Sequence, residues 1–225
     1  MLKFLVPNYS KSGPGIDRNA PKKEGFPLLA ETFCREFTTL LKLNFVCLIC
    51  CIPIVTIGPA IGAMTSVTLK MVKDEPVDWF YDFKEGFKKN WNQFLILGLL
   101  QIMIIAIITC AFLYYIQLQG IAYYFMMLII GIITAIAFMS FIYMYPMVVL
   151  VNLNIKDIIR NSYLLSILNI KYSIITLAAC LLVFVAGYVF RIITIPIIFI
   201  FFTLAFSSLL SSFCAYKPIK KNIIR

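Results

Sequence analysis

The sequence predicts an all-α, polytopic transmembrane helical bundle of about six spans, with both termini cytoplasmic. Three observations predict it. Hydrophobic residues make up 62% of the 225 residues, charged residues 13%, and mean hydropathy is +0.94; soluble domains carry roughly 45–50% apolar and about 25% charged residues. The apolar residues gather in runs near the ~20 residues that a helix needs to cross a bilayer core. The basic residues cluster in alternate connections between those runs, as the positive-inside rule demands of a membrane protein.

The runs are Phe37–Ile57, Pro59–Val72, Trp91–Ile116, Ile121–Val151, Tyr172–Phe190 and Ile192–Tyr216. The second is short for a full crossing. The fourth is longer than one bilayer needs and contains Pro146, and only Arg191 separates the last two. Lys3, Lys11, Arg18, Lys22, Lys23 and Arg35 precede the first run, and Lys70, Lys73, Lys84, Lys88 and Lys89 gather at the end of the second and after it. Lys156, Arg160 and Lys171 follow the fourth, and Lys217, Lys220, Lys221 and Arg225 follow the last. These segments are expected inside, and the uncharged 117–120 connection and the turn at Arg191 outside. Two readings fit: six spans, or five with 59–72 as a re-entrant helix. The expected organisation is a basic cytoplasmic tail over 1–36, a helical membrane domain over 37–216, and a basic cytoplasmic tail over 217–225.

The net charge of +10 would suggest nucleic acid in a soluble protein. Here no compact basic domain remains once the spans are removed, so the expected partners are the lipid bilayer and its anionic headgroups, with no nucleic acid. The seven cysteines, mostly within apolar runs, form no paired CxxC pattern and read as packing residues. Histidine is absent, which removes the usual neutral-pH base and the commonest metal ligand. The mixed, polar first 36 residues do not resemble a cleavable signal peptide.

Within the apolar region the most irregular backbone is expected at Ile52-Pro53-Ile54-Val55-Thr56-Ile57-Gly58-Pro59. Pro53 bends or ends a helix, and Gly58-Pro59 reads as a stop followed by a new start. The segment is either a buried turn lining a path or docking surface, or a tight turn near the external face. Gly58, Gly62 and Ser66 recur every four residues and mark a face for close helix packing. Pro53, Gly58, Pro59, Gly62 and Ser66 are therefore candidates for a helix-packing or partner interface.

Residues 77–90 form an amphipathic pattern, with Trp79/Phe80, Phe83 and Phe87 on one helical face. Such a helix lies in the headgroup plane or docks a partner. A second cytoplasmic helix is expected over 155–168, begun by Asn154 and Asp157, with an apolar stripe of Ile155, Ile158, Ile159 and Tyr163. Trp79, Phe83, Phe87, Trp91, Arg160 and Asn161 are the cytoplasmic docking candidates.

No ionisable residue lies deep in a run, which argues against an ion-coupled pump. The phosphate-loop, HExxH and GxSxG patterns are absent. No enzyme activity, catalytic residue, cofactor or metal is expected.

Four segments together resemble the YesL-like bacterial membrane proteins, a family classed as a domain of unknown function. They are Tyr9-Ser10-Lys11-Ser12-Gly13-Pro14-Gly15, Ala20-Pro21-Lys22-Lys23, Ile52-Pro53-Ile54-Val55-Thr56-Ile57-Gly58-Pro59-Ala60, and Asp82-Phe83-Lys84-Glu85-Gly86-Phe87-Lys88-Lys89-Asn90-Trp91. Tyr145-Pro146 before Arg160-Asn161 also fits. The resemblance covers essentially the whole chain. It implies a multi-pass protein of the bacterial cell membrane with an accessory role beside ABC-type oligosaccharide importers or two-component sensors. An ABC permease, its ATPase or a sensor kinase is the partner implied, and no catalytic residue carries over. The alternative is a small stand-alone transporter or channel, with a polar path along Thr56, Thr65, Ser66 and the serines at 207, 208, 211 and 212. Oligomeric state is open.

Overall fold

The structure, a computed structural model, describes residues 26–117, 121–193 and 196–223, and the side chains of 27–117, 123–182 and 203–223. The N-terminal motifs at 9–15 and 20–23, the 118–120 connection and the side chain of Arg191 lie outside the described residues. Among the described residues there is no strand.

The helices are α1 (Phe26–Arg35), α2 (Phe37–Cys50), α3 (Ile57–Val72), α4 (Trp79–Lys89), α5 (Trp91–Tyr115), α6 (Ile121–Leu150), α7 (Ile155–Leu168), α8 (Ile170–Ile193) and α9 (Pro196–Asn222). Each of the six apolar runs holds a helix. Ile54–Val72, Trp91–Tyr115 and Tyr123–Leu150 are long and apolar enough to cross a membrane. The described part of α8 adds a fourth such stretch if it and α7, bent by 97° from each other, count as one broken span. Helix α2 is apolar but shorter.

Consecutive long helices run antiparallel, and polar contacts fix this. Arg35, at the entry to α2, pairs with Asp74 just beyond α3 at 2.7 Å. Gln93 at the start of α5 donates its amide to the carbonyl of Leu153, just beyond α6, at 3.2 Å. The result is a bundle with one basic end, where α2, α5 and α8 begin and α3, α6 and α9 finish.

Helix α3 is the central element, packed against α2, α4, α5, α6 and α9. Its small residues Gly58, Ala60, Gly62 and Ala63 leave room for neighbours on several sides, and each is buried. One core gathers Leu40, Leu43, Met64, Val67, Phe83 and Leu209 around it. A second gathers Phe94, Leu97, Tyr143, Met147, Ile158 and Ile219. Away from the basic end, α5 and α6 expose Ile107, Leu113, Tyr124 and Phe125, the apolar surface that lipid covers in a membrane protein. There an apolar cleft of about 710 Å³ opens between α5, α6 and α8, beside Phe112, Met127, Gly131, Phe138 and Leu181.

Several boundaries differ from the sequence expectation. The irregular backbone expected over 52–59 is found in its first part, with the break at 51–53, whereas Gly58-Pro59, expected as a stop and new start, lies inside α3. Pro53 is extended, with φ −76° and ψ 126°, and a 3-10 turn over Ile54–Thr56 leads directly into α3. A proline disfavours helix at the residue before it. Pro59 sits in the first turn of α3, where its missing N–H has no helical partner to lose. The 51–57 turn is exposed, with Ile52 at 77% and Ile54 at 67%. Its backbone is largely self-satisfied: the Cys51 N–H donates to Cys47, the Thr56 N–H to Pro53, and the Thr56 hydroxyl reaches the carbonyls of Cys50 and Pro53. A turn closed in this way tolerates apolar surroundings.

The two tails are also less separate than the sequence suggests. The last part of the 1–36 segment is α1, whose Leu29 and Thr32 are buried and whose Phe33 ring meets Phe206 edge-on at 5.1 Å. At the other end α9 continues through Lys217 to Asn222, with Pro218 and Ile219 buried.

Candidate functional site

Polar side chains of α2, α3 and α9 bond across these helices and back to their own turns. The Thr68 hydroxyl lies 2.8 Å from that of Ser212 and 3.2 Å from that of Ser208. Thr65 donates to the Ile61 carbonyl at 2.8 Å and stands 3.5 Å from Ser208. Ser66 donates to the Gly62 carbonyl at 3.1 Å. Asn44 on α2 accepts the Ala205 N–H of α9 at 3.1 Å. Serine and threonine in an apolar helix bond back to their own turn, and those that reach across join neighbouring helices. No described buried side-chain nitrogen or oxygen is left without a partner. The hydroxyls named above for a polar path are thus occupied with one another and with helix carbonyls.

The glycines bring α3 against α5. A Cβ on Gly58 would stand 2.8 Å from the Gly98 Cα, and one on Gly98 2.5 Å from the Gly58 Cα. A Cβ on Gly62 would strike the Phe94 ring. Ser66, the third member of the repeat, faces a different helix: a Cβ on Gly86 of α4 would meet its hydroxyl at 2.8 Å. The repeat therefore serves two neighbours, with Gly58 and Gly62 toward α5 and Ser66 toward α4.

Helix α4 turns its apolar face into the bundle. Phe83 is 4% exposed and joins the α2–α3 core. Phe87 packs between Phe83 and Trp91, at 6.0 and 4.8 Å between ring centroids. The Asp78 carboxylate caps the helix by accepting the Tyr81 N–H at 3.3 Å. Asp82, also buried, accepts from the Lys70 ammonium at 2.7 Å and from the Asp78 N–H at 3.1 Å. That ion pair ties α4 to the end of α3. The placement corrects the expectation of a helix offering its aromatic face to headgroups: Phe83 is committed to the protein interior, and the rings left exposed are Phe80 and Tyr81.

Helix α7 spans the residues that the sequence marks, and Asn154 at its N-cap makes no side-chain cap bond. Its inner face is Ile158, Ser162, Leu165 and Ser166, all buried. Tyr163, expected on the apolar stripe, is instead 45% exposed and shares the outer face with Leu164, Ile167 and Leu168. The sharp bend into α8 is pinned by Ser173, whose hydroxyl lies 3.0 Å from the carbonyls of Ser166 and Asn169 and 2.9 Å from the buried Tyr143 hydroxyl. Nearby, Tyr145 donates to the Gln101 side-chain oxygen at 2.8 Å.

The residues named from sequence therefore separate. Gly58, Pro59 and Gly62 are buried packing residues, Ser66 is half-buried, and Pro53 lies on the exposed turn. Trp79 and Trp91 are half-buried on α4 and α5, while Arg160 and Asn161 sit on α7, the first exposed and the second half-buried. Sequence reading missed Asn44, Gly98, Asp82 as the anchor of α4, and the Tyr143–Ser173 pair. Asn44 carried a signal, being an amide within an otherwise apolar stretch.

Among the described residues no cluster of His, Cys, Asp or Glu has the make-up of a metal site.

Residues 37–112 match the model of a family described as "Protein of unknown function, DUF624". The match runs from the start of α2 into α5 and so includes the α3–α5 glycine contact and the Lys70–Asp82 pair. No curated protein and no solved structure matches the chain.

Proposed function

We propose that this chain is a membrane-embedded accessory subunit that docks a transporter permease, its ATPase or its regulator, and that it carries no chemistry of its own. The observation that supports this is α7. A short helix at the basic end is held on its inner face by four buried residues and at its C-terminal bend by Ser173, while Tyr163, Leu164, Ile167 and Leu168 stay exposed. A rigid helix with a second apolar face presents a preformed surface, which lowers the ordering cost of association.

The association with ABC-type oligosaccharide uptake in a bacterial cell membrane rests on the YesL-like resemblance, with which the family match over 37–112 is consistent. By charge, the basic end is the cytoplasmic one.

Affinity purification of the tagged chain in mild detergent tests this reading. Co-purification of a permease or ATPase, lost on Leu164→Glu with the bundle intact, is the expected result. Recovery of the chain alone under conditions that keep known permease complexes together would defeat it.

A further inference from the structure

Helix α2 has 14 residues. It rises about 21 Å at roughly 1.5 Å per residue, short of the ~30 Å hydrocarbon core. Helix α3 reaches the length of a span only together with the 3-10 turn before it, as Ile54–Val72. Length therefore lets α3 cross, and its level in the bundle decides whether it does.

Helices α5 and α6 set the depth. They run antiparallel, with Gln93 bonded to the Leu153 carbonyl and Tyr145 to Gln101. Against this pair α3 sits toward the basic end: Gly62 lies on the Phe94 ring and Gly58 on Gly98. The Phe94 ring in turn stacks on Tyr145, near the basic end of α6 at Leu150. Gly98 is about 10 Å along α5 from Trp91, and about 25 Å of the helix lies beyond it, at roughly 1.5 Å per residue. From Gly58 back to Ile54 the chain gains at most about 8 Å more, at the 3-10 rise of roughly 2.0 Å per residue. The turn at Ile52–Val55 thus ends near the middle of α5, and α5 runs on past it through Ile107 to Tyr115.

Both legs of the hairpin open at the basic end, where Arg35 before α2 pairs with Asp74 after α3. The tip is apolar, and Ile52, Ile54 and Val55 are all exposed. The Thr56 hydroxyl bonds the carbonyls of Cys50 and Pro53, which meets the demand that hydrocarbon places on a non-helical turn.

We propose that α2 and α3 form a re-entrant hairpin, which enters the membrane from the basic side, ends at Ile52–Val55 among the acyl chains of the bilayer interior, and returns to the same side. The hairpin does not depend on a partner at α7.

Nitroxide labels test the depth. Ile54→Cys, Met103→Cys and Tyr114→Cys alter exposed positions, each placed singly in a cysteine-free chain in phosphatidylcholine vesicles. The ratio of collisions with oxygen, which concentrates in hydrocarbon, to collisions with a water-soluble nickel chelate measures immersion. The label at 54 should match that at 103 and exceed that at 114 several-fold. A ratio at 54 as low as at 114 would put the turn at the far water face and overturn the proposal. Weak collisions with both probes at 54 would place protein over the turn, such as a second copy, and overturn the lipid contact. If the cysteine-free chain does not fold, Ile54→Asp and Tyr114→Asp in the chain with its own cysteines carry the same test. A carboxylate is costly deep in the bilayer and much less so near its edge. Ile54→Asp should lower the unfolding temperature in vesicles clearly more than Tyr114→Asp, and equal shifts overturn the proposal.

Discussion

Gly58 and Gly98 meet backbone to backbone where α3 crosses α5, so closely that a methyl group on either would fall within 2.8 Å of the other's Cα. The contact sits at the centre of the bundle, since α3 also touches α2, α4, α6 and α9. Gly98→Ala is expected to push the helices apart and destabilise the fold by about 1–3 kcal/mol, the usual cost of overpacking. Gly131 on α6 is the matched control. It faces the open cleft, and a Cβ there would meet nothing within 4 Å, so Gly131→Ala should stabilise by about 0.5–1 kcal/mol through helix propensity. Thermal unfolding of both variants in one detergent checks the opposed signs.

The Lys70–Asp82 pair predicts an asymmetry. Asp82 is buried, whereas the Lys70 side chain is 37% exposed. Asp82→Asn removes the charge that holds Lys70 and should destabilise α4 by about 1–3 kcal/mol, the range for a lost hydrogen bond to a charged group. Adding Lys70→Met should recover part of that loss, because no half-buried cation then lacks its partner. Hydrogen exchange over 79–89, faster in the single variant than in the double, is the reading to take.

Thr68 joins α3 to α9 through two serine hydroxyls. Thr68→Val keeps the shape and removes the hydroxyl, leaving Ser208 and Ser212 to bond their own helix. The expected cost is only about 1 kcal/mol, as found for such bonds inside membrane proteins. A much larger loss of thermal stability, accompanied by loss of solute movement in liposomes, would instead give these hydroxyls a transport role.

The outer face of α7 separates stability from association. Leu164→Glu and Leu168→Glu change exposed residues, so the isolated chain should shift by no more than about 0.5 kcal/mol. Loss of a co-purifying partner at unchanged thermal stability is the expected pattern.

Much of this architecture was legible in the amino-acid sequence. Every apolar run became a helix, because run length and composition respond to the same solvent that selects helices. Helix α7 was visible to the residue from its periodicity. The irregular backbone expected over 52–59 is present, but its end was read too late: Gly58-Pro59 is a strong local signal, yet the 3-10 turn over Ile54–Thr56 already leads into α3. The direction of α4's aromatic face was not legible, since an amphipathic helix reads the same whether its apolar side meets lipid or protein. It took Gly86 against Ser66 and Asp82 on Lys70 to decide. The Thr68–Ser212 bond joins residues far apart in the chain, and no spacing rule announces it. Gly98 lacked the four-residue repeat that exposed Gly58 and Gly62.

The most direct test concerns which side each end of the bundle faces. In a cysteine-free background, single cysteines at Gln117 and Lys84 report on opposite ends, and both side chains are exposed. Intact cells treated with a membrane-impermeant maleimide should label the 117 variant, and the 84 variant only after the membrane is opened. Labelling at 84 in intact cells would contradict the account.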